Sequence, residues 1–176
     1  KGLEKPDLLP MVRGRLVSIN GRPVIAADYE EERAQRLVER EFNLSWMADL
    51  PEGNSLTAGK WFAPQDGDRP QFSVEQGLAD TLRLKLNDTL VYEIAGRRLE
   101  AKITSLRKLD WDSMHVNFFV VTPPGVLEPF PTSYITSFHL PPDRAGFVGD
   151  LVAAYPNLTV IDVASILRQF KAVMDQ

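Results

Sequence analysis

Residues 89–104 place the tightest constraint on what this chain can fold into. Thr89–Ile94 and Arg98–Thr104 alternate apolar and polar residues on either side of Ala95-Gly96-Arg97, the pattern of two antiparallel strands joined by a tight turn. Side chains of period two put Leu90, Tyr92 and Ile94 on one face, where Leu99, Ala101 and Ile103 would meet them. A hairpin with one apolar face is marginal alone in water, so it must be covered by further elements.

The flanking sequence supplies them. Met11–Ile19 alternates as a strand, and Asn20-Gly21 is a strong turn signal after it. Asp28 and Glu31 have capping-box spacing, which predicts a helix opening at Asp28. Acidic residues load its first turn, Arg36 and Arg40 follow, and Ala34, Leu37, Val38 and Phe42 form the apolar stripe. Residues 43–62 read as a strand, a turn at Pro51-Glu52-Gly53-Asn54 and a second short strand. Residues 64–70 are turn formers throughout and mark a subdomain boundary. Ser73 and Gln76 again have capping-box spacing, predicting a helix from Ser73 to about Leu84 with Val74, Leu78 and Leu82 on one face. Val116–Thr122 and Tyr134–Leu140 read as strands separated by a proline-rich loop, and Pro141-Pro142-Asp143 is a second boundary. The tail returns to a helix from Phe147 to about Tyr155, a short strand Leu158–Ile161, and a last helix capped by Asp162. That helix carries its periodicity intact to the final residue and the chain opens on Lys1, which together suggest a piece of a larger protein.

Composition narrows the function. The net charge is −4 and the bases are scattered, with Arg97-Arg98 and Arg107-Lys108 lying near acidic residues, so the basic stripe of a nucleic-acid binder is not there. The absence of cysteine excludes disulfides, thiolate nucleophiles and Cys-ligated metals. No apolar run reaches the roughly 20 residues that cross a bilayer as a helix. Neither G-x-x-x-x-G-K-[ST] nor G-x-G-x-x-G occurs, so no phosphate-cradling loop is present. Asp110, Asp112 and His115 could offer two carboxylates and an imidazole to a divalent metal, but the spacing matches no metal motif and a polar loop explains it equally. Ser113 lies two residues from His115, yet a triad needs a base poised by a third group, and there is no G-x-S-x-G elbow. A small hydrolase or metal enzyme around Asp112, Ser113 and His115 is therefore a minor reading. Of the aromatic residues, Trp111 between two aspartates and Phe130 between two prolines are the candidates for exposed partner contacts.

Six segments together carry a resemblance: LLPMVRGRLVSINGRPV (8–24), EREFNLSWMADLPEGNSLTAGKWF (39–62), FSVEQGLADTLRLKLNDTLVYEIAG (72–96), ITSLRKLDWDSMHVNFFVVTPPGVLE (103–128), FPTSYITSFHLPP (130–142) and YPNLTVIDVASILRQF (155–170). In order and spacing they resemble the periplasmic region of FtsX/MacB-like ABC transporter permeases, most closely the large permeases encoded beside an ATPase and a periplasmic lysophospholipase/thioesterase. The departure is at Leu82-Arg83-Leu84-Lys85-Leu86-Asn87-Asp88, where the family reads L-G-L-K-x-G-D. Asn87 is expected to keep the turn, and Arg83 to extend the helix by a residue.

The resemblance implies an α+β fold with a MacB-like periplasmic core. Residues 1–63 and 141–176 would form a porter-like α/β subdomain, and 64–140 an inserted β-rich Sabre-like subdomain. It also implies a bacterial inner-membrane parent with this part in the periplasm, and no catalytic residue, metal or cofactor. The partners would be a cytoplasmic ABC ATPase acting through membrane helices, a hydrophobic or lipid substrate, and a periplasmic lysophospholipase/thioesterase. The alternative is a stand-alone periplasmic lipid-binding or scaffolding protein.

Overall fold

The computed structural model describes residues 7–110 and 115–174. By contact density the chain divides between Ser137 and Phe138 into two compact units.

The first unit is built on a closed ring of six strands: β1 (Leu9–Ile19), β3 (Phe42–Trp46), β5 (Gln71–Glu75), β6 (Thr89–Ile94), β7 (Arg97–Leu109) and β8 (Val120–Thr122). Around the ring, β1 pairs antiparallel with β3, β3 parallel with β8, β8 antiparallel with β5 and β5 parallel with β7. Then β7 pairs antiparallel with β6, and β6 antiparallel with β1, which closes it. Closure gives each of these six strands two neighbours. Three further strands sit on the ring: β2 (Arg22–Pro23) and β9 (Ser133–Ile135) pair with the two ends of β1, and β4 (Asn54–Gly59) with the second half of β7.

The expected hairpin is β6–β7, with Tyr92 opposite Leu99 and Leu90 opposite Ala101. Ala95 and Gly96, at φ 50° and 77°, form its two-residue turn, and Asn20 and Gly21, at 50° and 78°, do the same between β1 and β2. Two successive positive φ values match the right-handed twist of the flanking strands. Inside the ring Val12, Leu16, Leu44, Phe72, Val74, Leu90, Tyr92, Ile94, Ile103 and Val120 are almost wholly excluded from solvent. Packing there is tight enough that a Cβ at Gly14, between Val12 and Leu16, would lie 2.9 Å from Ile94 Cγ1.

Both expected helix starts are displaced. The Asp28 carboxylate accepts the Ile25 N–H at 3.2 Å and closes a 3-10 turn, Ala26–Asp28, so helix α1 (Glu32–Glu39) opens four residues later. Ala34, Leu37 and Val38 are its buried residues, while Phe42 belongs to β3. Ser73 and Val74 lie in β5, and helix α2 (Gln76–Leu82) is capped by Glu75, whose carboxylate accepts from Gly77 and Leu78 N–H at 2.8 and 2.7 Å. A buried strand and a short helix that follow one another read as one amphipathic segment, because both place apolar residues close together.

Arg83 does not prolong α2. It is the C-cap, left-handed at φ 58°, and Asn87 is left-handed at φ 69°. Both positions at which the resembled family carries glycine thus adopt the backbone that glycine favours. Arg83→Gly is expected to raise stability by about 0.5 kcal/mol. The relief of backbone strain is partly offset by losing the guanidinium, 6.0 Å from the Tyr29 ring centroid. Chemical denaturation giving a lower midpoint for the variant would contradict this.

The turn-former stretch at 64–70 contains a 3-10 turn, Pro64–Asp66, that leads from β4 to β5, and both of these strands pair with β7. Strands drawn from 9–59 and from 71–122 therefore share one sheet. The strand expected over 116–122 begins only at Val120, because the Phe118 carbonyl is taken by a side chain, as described below. The strand expected over 134–140 is confined to Ser133–Ile135.

The second unit contains helices α3 (Phe147–Ala154) and α4 (Val163–Met174). Asp162 caps α4 as expected, accepting the Ser165 N–H at 3.0 Å. Leu158–Ile161 is not a strand: strand geometry needs a neighbouring strand to take its backbone groups, and this unit has none among the described residues. Leu158, Val160 and Ile161 are exposed, and no described side chain of residues 138–166 is buried.

Candidate functional site

Of the residues singled out from sequence, Asp110, His115 and Phe130 are described, at two places on the first unit. β4 and the second half of β7 form a ribbon, closed beyond Leu109 by the Asp110 N–H donating to the Gly53 carbonyl at 2.8 Å. Trp111, Asp112 and Ser113 follow at once and lie outside the described residues. His115 is exposed, with Nε2 3.9 Å from Glu52 Oε2. Among the described residues no three His, Cys, Asp or Glu side chains gather as a metal site would require.

Residues 118 and 119 are held by Arg107, which in the sequence is just one of the scattered bases. It is only 1% exposed and is the largest fully buried side chain described. Its Nε donates to Ser73 Oγ at 2.8 Å and Nη1 to Asn54 Oδ1 at 2.6 Å. Its Nη2 donates to the Phe118, Phe119 and Ser73 carbonyls at 2.9, 3.2 and 3.3 Å. Ser105 Oγ donates to Ser73 Oγ at 2.7 Å and completes the cluster. All five of these Arg107 contacts are to neutral acceptors. Desolvation lowers the guanidinium pKa to about 10, against the opposing influence of the Glu75 charge, so it stays protonated at neutral pH. Strand alternation does place 107 opposite Leu106. What sequence could not show is that the chain returns at 118–119 to this part of β7 and accepts the guanidinium's hydrogen bonds there.

Phe130 lies at the other place. The proline loop folds back as a plug, with Val126 and Leu127 in the main core and Phe130 packed against it. The Phe130 ring is half-buried and carries the Arg97 guanidinium 4.3 Å from its centroid. Arg97 Nη2 also donates to the Pro129 carbonyl at 2.9 Å, so the tip of the β6–β7 hairpin holds the loop by two contacts. Phe130 is thus less free than its proline neighbours suggest, although part of its ring remains accessible.

The described site thus consists of a proline-rich loop held by Arg97 and a buried polar cluster around Arg107. No family model matches the chain. Its similarity is to a class of membrane transport component, the ABC transporter permeases. Over 160 residues, 91% of its length, it is 36% identical to the uncharacterized ABC transporter permease YbbP of Escherichia coli (strain K12). The chain spans 18% of that relative. No helix among the described residues is long and apolar enough to cross a membrane.

Proposed function

We propose that this chain is the periplasmic domain of an inner-membrane ABC permease, with a MacB-like core, working through contact and not through catalysis of its own. The carrying observation is that the similarity to the permease YbbP runs through 91% of the chain. In this reading a cytoplasmic ATPase drives membrane helices elsewhere in the parent. Their motion displaces the domain against a hydrophobic or lipid substrate, or against a periplasmic lysophospholipase/thioesterase docked on it. A closed barrel suits such a role, because strands paired on both sides transmit a push without shearing.

Placement is tested with the full-length parent in intact spheroplasts, by adding protease from outside. Cleavage within residues 1–176 before lysis is expected, and protection until lysis would refute a periplasmic position. Docking is tested by binding of the lysophospholipase/thioesterase to residues 1–176. Trp111→Ala and Phe130→Ala, each shown by circular dichroism to remain folded, are expected to weaken it by about tenfold or more. Unchanged affinity in both would remove the loop contact from the proposal.

A further inference from the structure

The Arg107 cluster does more than neutralise itself. Taking a guanidinium out of water costs several kcal/mol, and apolar side chains of similar volume are often at least as stabilising in such a position. Nor does it pair with a carboxylate in the five contacts described above, so it is not simply a buried ion pair. Its contacts join four parts of the chain: Asn54 on β4, Ser73 on β5, Arg107 itself on β7, and the 118–119 carbonyls that precede β8.

The Phe119 carbonyl is shared. It accepts Arg107 Nη2 at 3.2 Å and also the Glu75 N–H at 2.8 Å. Glu75 is itself buried, and its carboxylate accepts the N–H groups of Gly77 and Leu78 in the first turn of α2, with Gly77 close enough that a Cβ there would lie 2.9 Å from Oε1. Polar contacts therefore run from Arg107 through the shared Phe119 carbonyl to the Glu75 N–H, and the Glu75 carboxylate continues them to the start of α2. A satisfied buried network of this kind has few alternative arrangements, because each lost hydrogen bond leaves a desolvated partner.

We infer that Arg107 is a positioning residue that couples residues 118–119, which precede β8, to the first turn of α2, making the two respond as one. The coupling stands on these contacts and is independent of the permease reading.

Amide hydrogen exchange on residues 1–176 tests it, comparing the parent with Arg107→Met, Arg107→Lys and Glu75→Gln. In Arg107→Met the Gly77 and Leu78 amides are expected to exchange about tenfold faster or more, while amides of the β1–β6 pairing stay within about twofold. Arg107→Lys keeps the charge but not the planar fork, and should fall between. Coupling is reciprocal, so Glu75→Gln should speed exchange at Val120 and Val121. Faster exchange near Phe119 with Gly77 and Leu78 unchanged would overturn the inference. So would a uniform acceleration over the whole barrel, since that reports general destabilisation. If Arg107→Met does not fold, Arg107→Lys and Glu75→Gln decide by the same criteria.

Discussion

Tyr92→Ala is expected to lower the unfolding free energy by about 4 kcal/mol. Tyr92 lies on β6 at 1% exposure, with its ring edge-on to Phe42 of β3 at 5.9 Å and to Phe72 of β5 at 5.5 Å. Truncation removes the transfer free energy of an aromatic side chain and leaves a cavity that a closed ring cannot collapse to fill, and it also ends two aromatic contacts. Burial raises the phenol pKa far above its ordinary value, so the side chain stays neutral through the working range and acts as packing. Urea denaturation should show a much lower midpoint at an unchanged slope, with a melting temperature roughly 10 °C lower. A loss below about 1 kcal/mol would mean that the ring is not packed as described.

Gly59→Ala should cost about 3 kcal/mol, from a single added methyl group. Gly59 ends β4 at φ 75°, and a Cβ there would lie 2.1 Å from the Thr104 carbonyl oxygen and 2.9 Å from the Ser105 Cα. Both obstacles are backbone, so no rotamer change relieves them, and the β4–β7 ribbon must shift or open. Proteolysis at residues 54–60 is expected to accelerate well before the barrel unfolds. By contrast, a Cβ at Gly21 meets nothing within 4 Å, so Gly21→Ala at the similar φ of 78° isolates the backbone part of the cost. Equal losses at the two positions would show that the close approach to Thr104 contributes nothing.

Local chemistry is legible wherever one residue pair dictates a geometry. Asn20-Gly21 specifies a turn, the 89–104 alternation specifies a hairpin, although its turn is Ala95-Gly96 and Arg97 already belongs to β7, and Asp162 caps the last helix. Helix starts depart from their capping signals where a polar side chain bonds to something nearer. Asp28 closes its own 3-10 turn, and Ser73 faces Arg107 inside the protein. The candidate contacts are legible as residue types only. Nothing in Pro129-Phe130-Pro131 announces that Arg97, some thirty residues upstream, lies over the ring.

By itself the sequence determined the hairpin at 89–104, the turn after the first strand, the existence of the three longer helical segments, and the absence of cysteine and phosphate-loop chemistry. It also carried the likeness to ABC permeases, which resides in the order of short segments and needs no coordinates. Only the tertiary structure decided that six strands close into a ring, that Arg83 turns left-handed, and that Arg107 is buried. The physical reason is common to all three. Strand closure, cap geometry and the burial of a charge depend on which distant segment lies alongside: β6 against β1 is 70-odd positions away in the chain, and the carbonyls over Arg107 come from the returning residues 118–119. Periodicity reports which face a residue takes, but not what covers that face.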